Sequence, residues 1–335
     1  MANPKHIICC DWGTSSLRLK LIDSSSGRHI GEYAGAEGIA SVHAGWQSDQ
    51  EKDRISRQDY FLRYLHHQMM KLVHDQKQTV CVDAVIISGM ASSSIGMMEL
   101  PYAPVPFSLG GEQLISHSIK PGEYHPYPVW VLSGLRYNDD VMRGEETQLV
   151  GLANAITEFG KEALTCILPG THSKHVSIQQ GRVTAFKTYI TGELFEAVSK
   201  HTVLGNSVGL ADKKAALSPA QITAFKKGVE LSRDQQLLSS LFTVRTNGLF
   251  QRLDSYDNYY YLSGLLIGAE LSELFRQTSG PVLLASSGRL HELYRLASDV
   301  LDRNNSVRFL ASELAENAAI AGQLKFFYHQ LEKKS

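Results

Sequence analysis

The chain has 335 residues, with 33 Lys plus Arg against 34 Asp plus Glu and a hydrophobic fraction of 43%. That length exceeds one comfortable hydrophobic core and predicts two domains. A formal net charge of −1 gives no electrostatic case for nucleic acid or a membrane surface.

No apolar stretch approaches the ~20 residues that a membrane span needs. Met1 to His6 shows no cationic region feeding an apolar one and a cleavage site, so no signal peptide is expected. Cys9, Cys10, Cys81 and Cys166 each lie in or beside a run that reads as a buried strand, and none forms a C-x-x-C pair. They read as reduced core cysteines of a cytoplasmic protein.

In chain order, the apolar run ending "CCDWGTSS" predicts a buried strand that stops on Asp11, followed by a turn of Gly13, Thr14, Ser15 and Ser16. Alternation from Leu17 to Ile22 predicts the returning strand, and a third begins after Gly27. Phe61, Leu65, Met69 and Leu72 recur at helical spacing, and Val82 to Ser88 reads as a buried strand ending at Gly89. Pro101 to Pro128 reads as irregular structure, and "RGEETQLVGLANAI" as a helix leaving the first half.

From Thr165 the opening pattern returns as "TCILPGTHSKHVSIQQGRVTAFKTYITGE": strand, Gly170-Thr171, a strand from His175 to Ile178, a turn at Gly181 and a third strand. Two such hairpin pairs half a chain apart indicate a duplicated α/β unit. "SPAQITAFKKGVEL" predicts a helix with Ser218 as N-cap, Pro219 in its first position and Gln221 closing a capping box. Leu262, Leu265, Leu266 and Ala269 form an apolar stripe. "GPVLLAS" predicts a strand giving way at Ser287-Gly288 to a helix. The last helix presents Leu314, Ala318, Ala321, Leu324 and Tyr328 on one face, and its small residues Ala315, Ala318, Ala319, Ala321 and Gly322 allow another backbone to approach closely. The expected boundaries are residues 1–155 and 156–335, with the last helix packing back toward the hinge.

A tight Gly-Thr turn between strands leaves backbone N–H groups converging outward, a nest for phosphate oxygens. The hydroxyls of Thr14, Ser15 and Ser16 add donors without charge. A carboxylate beside such a nest, here Asp11, indicates an intervening metal, with Mg²⁺ and phosphates as the common case. Arg18 either neutralises phosphate or pairs with Asp11. The second turn has Leu168 in place of the acid and carries His172, Ser173 and Lys174 instead. One turn would then serve the metal and the other give hydrogen bonds and a cation to a phosphate tail. A plain hairpin with Asp11 capping its own turn is the bland alternative for a single copy.

The D-x-G-T turn, its repeat and the strand–Ser–Gly–helix near the C-terminus resemble the superfamily of actin, heat-shock chaperones and sugar kinases. "DWGTSSLR", "VMRGEETQLVG", "PGTHSKHV", "TGELFEAVSKHTVLG" and "LSGLLIGAEL" resemble the 2-dehydro-3-deoxygalactonokinase family, from about Ile7 to Gly322. The resemblance implies an α/β fold of two ribonuclease-H-like (actin-like ATPase) domains with a nucleotide cleft between them. It also implies transfer of the γ-phosphate of MgATP to the 6-hydroxyl of 2-dehydro-3-deoxy-D-galactonate in galactonate breakdown.

On that reading Gly13, Thr14, Ser15, Arg18, Gly170, Thr171, Ser173 and Lys174 meet the phosphates, Asp11 holds Mg²⁺, and Ser287 and Gly288 approach the nucleoside. The substrate hydroxyl needs a carboxylate to accept its proton. "NDDVMRGEET" offers Glu145 first, Asp140 second and Glu146 third, although a helix N-terminus favours acids in any case. No D-x-R is present; Asp140 with Arg143 is one residue too wide. Met90, Ser92 and Ser93 follow a strand end, where α/β domains place ligands. Thr191 and Glu193 open a helix able to take a carboxylate, and Arg136 is a cation for it. The expected partner is a small sugar acid, with no nucleic acid or membrane; a homodimer is compatible with the sequence. Rival readings are a polyphosphate or ATP phosphohydrolase of the same superfamily, a kinase for another sugar, and an actin-like assembly protein. The last would need subdomains for which the repeat leaves little room.

Overall fold

In the computed structural model the described residues are 6–49, 54–74, 80–209, 215–234, 236–278, 280–302 and 304–333. The chain divides into two compact units. One comprises Met1–Gly160, Gly181–Thr184 and Asn317–Ser335; the other comprises Lys161–Gln180 and Ala185–Glu316.

The first unit opens with β1 (His6–Trp12), β2 (Leu17–Asp23) and β3 (His29–Gly35), then α1 (Ile39–Ser48), α2 (Arg57–His74) and β4 (Ala84–Gly89). The stretch expected to be irregular instead holds three short strands, β5 (Ala103–Pro104), β6 (Phe107–Ser108) and β7 (Ser116–Ile119). Runs of two to four residues are too short to establish a period of two. After them come β8 (Val129–Leu132), β9 (Leu135–Tyr137), β10 (Asp140–Met142) and α3 (Glu145–Leu152).

The sheet order is β3-β2-β1-β4-β8-β7, with β1 antiparallel to β2 and parallel to β4. β1 is central, which is why Ile7 to Cys10 form an unbroken buried run rather than an alternating one. Trp12 packs against Phe61 and Tyr64 of α2, with ring centroids 5.6 and 5.9 Å away. β5, β9 and β10 form a small separate sheet in the order β10-β9-β5.

The second unit repeats the plan. β11 (Leu164–Leu168), β12 (Ser173–Gln179) and β13 (Arg182–Tyr189) lead to α4 (Thr191–His201), α5 (Pro219–Leu231), α6 (Leu237–Leu249) and α7 (Ser255–Gln277). Then come β14 (Val282–Leu284), α8 (Gly288–Leu301) and β15 (Val307–Phe309); α9 (Ser312–Glu332) follows and from Asn317 belongs to the first unit. The order β15-β14-β11-β12-β13 again has an antiparallel hairpin on one side of the first strand and parallel crossovers on the other. This is the ribonuclease-H-like topology, present twice.

The capping box on α5 forms as expected: the Gln221 N–H donates to Ser218 Oγ at 3.2 Å, and the Ser218 N–H to Gln221 Oε1 at 2.9 Å. α7 is buried nearly all round from Tyr260 to Leu274, so its four-residue stripe understated it. Two expectations are corrected. Cys81 is exposed, outside β4, while the other three cysteines are buried. The last helix does not bury the face read from its apolar residues: Leu314, Ala321 and Tyr328 are exposed, and Ala318, Ala319, Gly322, Gln323 and Phe326 are buried. Close backbone contact decides this. An added Cβ at Gly322 would lie 1.9 Å from the Thr147 carbonyl oxygen of α3, so the face with Ala318 and Gly322 turns inward, taking Phe326 and Phe327 with it and leaving Leu314 and Tyr328 outside. Gln323, fully buried, donates through Nε2 to the Cys10 carbonyl at 2.8 Å and Ser88 Oγ at 2.7 Å. It thereby fastens α9 to the ends of β1 and β4. Among the described residues no helix is long and apolar enough to cross a membrane.

Candidate active site

In open α/β sheets ligands gather beyond the C-terminal ends of the parallel strands. In the first unit those ends are Asp11–Trp12 of β1 and Ser88–Gly89 of β4, which sit in register. The turn after β1 closes with the Gly13 N–H donating to the Ser16 carbonyl at 2.9 Å. The first amides of α1 then hold it from one side: Ile39 N–H donates to Gly13 O at 3.0 Å and Ala40 N–H to Thr14 O at 3.1 Å. A trans peptide sets its N–H opposite its C=O. With both carbonyls drawn toward α1, the Thr14 and Ser15 amides point away from it together, the orientation an anion needs.

The second unit builds the same brace. The N–H groups of Gly192 and Glu193, at the start of α4, both donate to the Thr171 carbonyl, at 3.1 and 3.0 Å. The His172 amide, in that same peptide, therefore points away from α4. Gly38 and Gly192 stand at equivalent places, where the helix start meets the turn backbone. Both lie inside the repeated stretches, and repeat alignment carried this far would have found them.

Asp11 is half-buried and lies opposite Arg18 across the β1–β2 ladder, with Oδ2 3.8 Å from the guanidinium. Its carboxyl is raised above the usual range, chiefly by burial, opposed by Arg18 and reinforced by the negative charge of Glu145. Glu145 opens α3, and Gly144 lets it come near. Gly144 has φ of 102°, and an added Cβ there would lie 3.3 Å from the Gly89 Cα at the end of β4. Two oxygen-donor carboxylates thus repel one another beside an anion-seeking turn. That donor chemistry fits a hard cation, which would relieve the repulsion. The described residues hold no cluster of three or more metal-type ligands.

The other expected acids lie differently. Glu146 is 1% exposed; both its oxygens accept from the Gly144 N–H, at 3.0 and 2.8 Å, and Oε1 also accepts from Thr147 Oγ1. It fastens the start of α3. Asp140 sits on the β9–β10 hairpin opposite Tyr137 and accepts from the Val141 N–H at 2.7 Å; Arg136 is exposed on β9.

Burial pushes the Glu146 carboxyl up to about 8, with the charge of Glu145 adding to it and the local hydrogen bonds opposing. The folded state therefore keeps a proton that the unfolded chain releases above the ordinary carboxylate range. The contribution of Glu146 to stability therefore falls as pH rises toward about 8 and levels off beyond it. Glu146→Gln is expected to remove this share of the fall, so that melting temperature declines less steeply from about pH 5 to 8 in the variant than in the wild type. Parallel curves would show that the proton is not there.

Met90 and Ser92 form a short 3₁₀ turn after β4. Ser92 and Ser93 are buried rather than open to a ligand: Ser93 Oγ donates to the Met90 carbonyl at 2.7 Å, and Ser92 Oγ accepts from Arg143 at 2.6 Å. Arg143 also donates to Tyr102 Oη at 3.0 Å and the Leu100 carbonyl at 3.1 Å, so one guanidinium fixes the whole 90–102 segment. In sequence Arg143 is only the far member of an ill-spaced pair with Asp140; its fixed fork of donors is what lets it hold this segment.

In the second unit Gly170 and Thr171 are accessible, while Ser173 and Lys174 are buried, and Lys174 Nζ donates back to the His172 carbonyl at 3.0 Å. Exposed Glu193 pairs with His172. Ser287 and Gly288 follow β14, the parallel neighbour of β11, where the Ala285 N–H donates to the Ile167 carbonyl at 2.9 Å. Thr191 and Ser173 share a partner that lies inside the "LSGLLIGAEL" motif without an assigned role. Glu270 of α7, 3% exposed, accepts from Ser173 Oγ (2.7 Å) and His175 Nε2 (2.8 Å) on Oε1, and from Thr191 and Tyr294 Oη (2.9 Å) on Oε2. Hydrogen bonds to a charged group contribute about 1.5–3 kcal/mol each, so four can offset a desolvation cost of several kcal/mol. An acid inside the apolar run "LSGLLIGAEL" was the available signal.

A family model described as 2-keto-3-deoxy-galactonokinase matches residues 11–325. A Rhizobium meliloti (strain 1021) protein described as a probable 2-dehydro-3-deoxygalactonokinase is 31% identical over 332 residues, 96% of this chain and 97% of its own length. The Escherichia coli (strain K12) 2-dehydro-3-deoxygalactonokinase is 34% identical over 199 residues, 57% of this chain and 61% of the relative. A crystal structure from Sinorhizobium meliloti bearing the same kind of description superposes with a TM-score of 0.71 at 30% identity, covering 96% of this chain and 99% of that one.

Proposed function

Because this chain belongs to the 2-keto-3-deoxy-galactonokinase family, we propose that it moves the γ-phosphoryl group of ATP onto the 6-hydroxyl of 2-dehydro-3-deoxy-D-galactonate, in D-galactonate catabolism. Phosphoryl transfer asks a protein for positioning and charge neutralisation more than for covalent chemistry. The observation that carries the reading is the Asp11–Glu145 pair beside the braced Gly13–Ser16 turn.

In the first unit the Thr14 and Ser15 amides hold phosphate oxygens, and Arg18 screens charge at the exposed edge. Asp11 is the residue that would hold Mg²⁺, which when bound neutralises phosphate charge. Glu145 accepts the proton of the attacking hydroxyl. It ranks above Glu146, whose oxygens are committed to the start of α3, and above Asp140, which sits out on the hairpin. The 90–102 segment fixed by Arg143 lines the sugar acid with backbone and Met90, while the buried hydroxyls of Ser92 and Ser93 hold the segment itself. Arg136 meets the substrate carboxylate. In the second unit the Gly170–His172 turn holds phosphate through its amides, with Ser287 and Gly288 beside the nucleoside. Ser173, Lys174 and Thr191 support that turn from within, and Glu193 pairs with His172 at its exposed side.

ADP release with MgATP tests the reading, comparing 2-dehydro-3-deoxy-D-galactonate, its gluconate epimer, simple hexoses and no acceptor. Turnover is expected to depend on the galactonate-derived acid. Phosphate release without any acceptor would replace the kinase reading with a phosphohydrolase.

A further inference from the structure

The interiors behind the two turns differ in kind. In each unit one helix precedes the strand that pairs parallel with the first strand: α2 before β4, and α7 before β14. In the first unit that helix lays Phe61 and Tyr64 against Trp12, an apolar solution. In the second it inserts Glu270, a carboxylate with four side-chain donors drawn from β12, α4 and α8. The duplicated fold therefore does not require a buried acid at this place. A costly group that the fold can do without calls for another explanation.

Its donors supply one. Ser173 is the first residue of β12, directly after the Gly170–His172 turn, and His175 follows on the same strand. Thr191 precedes Gly192 and Glu193, whose amides grip the Thr171 carbonyl. Tyr294 of α8 closes the ring of donors, its hydroxyl also lying 3.5 Å from Ser173 Oγ. A carboxylate that accepts from both the strand leaving the turn and the helix bracing it fixes their spacing, and with it the direction of the His172 amide. We infer that Glu270 is a positioning residue for the phosphate-holding turn of the second unit. This rests on reading Gly170–His172 as a phosphate turn.

The test uses the full-length enzyme, with Glu270→Gln, Thr191→Val and Thr191→Ser beside the wild type. Nucleotide affinity is measured by calorimetry, KM for ATP and for the sugar acid by ADP release, and folding by thermal melts. Glu270→Gln keeps the volume but turns acceptors into donors, and Thr191→Val deletes one donor at constant shape. Both are expected to weaken nucleotide binding and raise KM for ATP by about tenfold while KM for the sugar acid stays within about twofold. Thr191→Ser restores the hydroxyl and is expected to behave as wild type. A merely structural role would lower the melting temperature without splitting the two KM values. If Glu270→Gln does not fold, the Val and Ser pair decides alone. Unchanged nucleotide affinity in Thr191→Val, or equal loss in Thr191→Ser, would overturn the inference while leaving the kinase reading intact. A wild type that binds nucleotide but never phosphorylates a sugar acid would sink the kinase reading and leave this one standing. A wild type that binds no nucleotide would remove both.

Discussion

Asp11→Asn is expected to lower acceptor-dependent ADP release by about 10³-fold, the scale of losing one placed electrostatic group at a transferring centre. The same variant is expected to melt at a higher temperature than the wild type at neutral pH. Both follow from the environment of the carboxylate. Burial raises its proton affinity first, Glu145 adds to that, and the exposed Arg18 at 3.8 Å only partly opposes. Because the folded-state value lies above the unfolded one, the folded protein holds the proton more tightly. Stability is therefore highest below the ordinary carboxylate range and is lost as pH rises through the raised value. At neutral pH the ionised side chain is a liability that an isosteric amide removes. Removing an unfavourable charge in this way is a stabilising change on the scale of about 0.5–2 kcal/mol. The gain should vanish in acid, where both proteins are neutral at this position. Added Mg²⁺ should stabilise the wild type more than the variant, since the variant lacks the charge that attracts it. A variant that turns over normally, or that melts earlier at neutral pH, would remove Asp11 from the centre of the site.

What was legible in the chain follows from how local each signal is. The capping box at Ser218 and Gln221, the strand–turn–strand around Gly13 and its echo at Gly170 depend on neighbours in sequence, and all three stand as read. The approach of Glu145 to Asp11 depends on register between strands far apart in the chain and on the left-handed Gly144, neither of which spacing alone reveals. The last helix is legible in part: its small residues do admit a close backbone, but its apolar stripe misplaces the buried face. Its large residues Leu314 and Tyr328 suggested the buried face, whereas the face is set by how closely Gly322 meets α3 and by the amide of Gln323 reaching β1 and β4. Polar side chains drawn inward were the main blind spot. Ser92, Ser93, Ser173 and Thr191 were read as ligand contacts because hydroxyls near strand ends suit a polar ligand. The structure turns them instead to Arg143, Met90 and Glu270.

Gly38→Ala and Gly192→Ala should each cost about 10²-fold in kcat/KM, the penalty of displacing a positioned group by roughly an ångström. At Gly38 the added Cβ would lie 2.3 Å from the Thr14 carbonyl oxygen and 2.4 Å from the Ser15 nitrogen. At Gly192 it would lie 2.7 Å from both the Gly170 oxygen and the Thr171 Cα. These are backbone atoms that cannot rotate aside, so the helix start must withdraw. Withdrawal breaks the Ile39 and Ala40 bonds to the first turn, or the Gly192 and Glu193 bonds to the second. The released carbonyls then no longer hold their peptide planes, and the opposite amides lose their common direction. Gly38→Ala should be the worse, because its contacts are shorter. Overpacking of this kind typically destabilises by about 1–3 kcal/mol, so both variants should remain folded at assay temperature. Gly160→Ala is the control, since a Cβ there meets nothing within 4 Å. If Gly38→Ala melts with Gly160→Ala and turns over as fast, α1 does not brace the turn, and the direction of the Thr14 and Ser15 amides must be set within the hairpin itself.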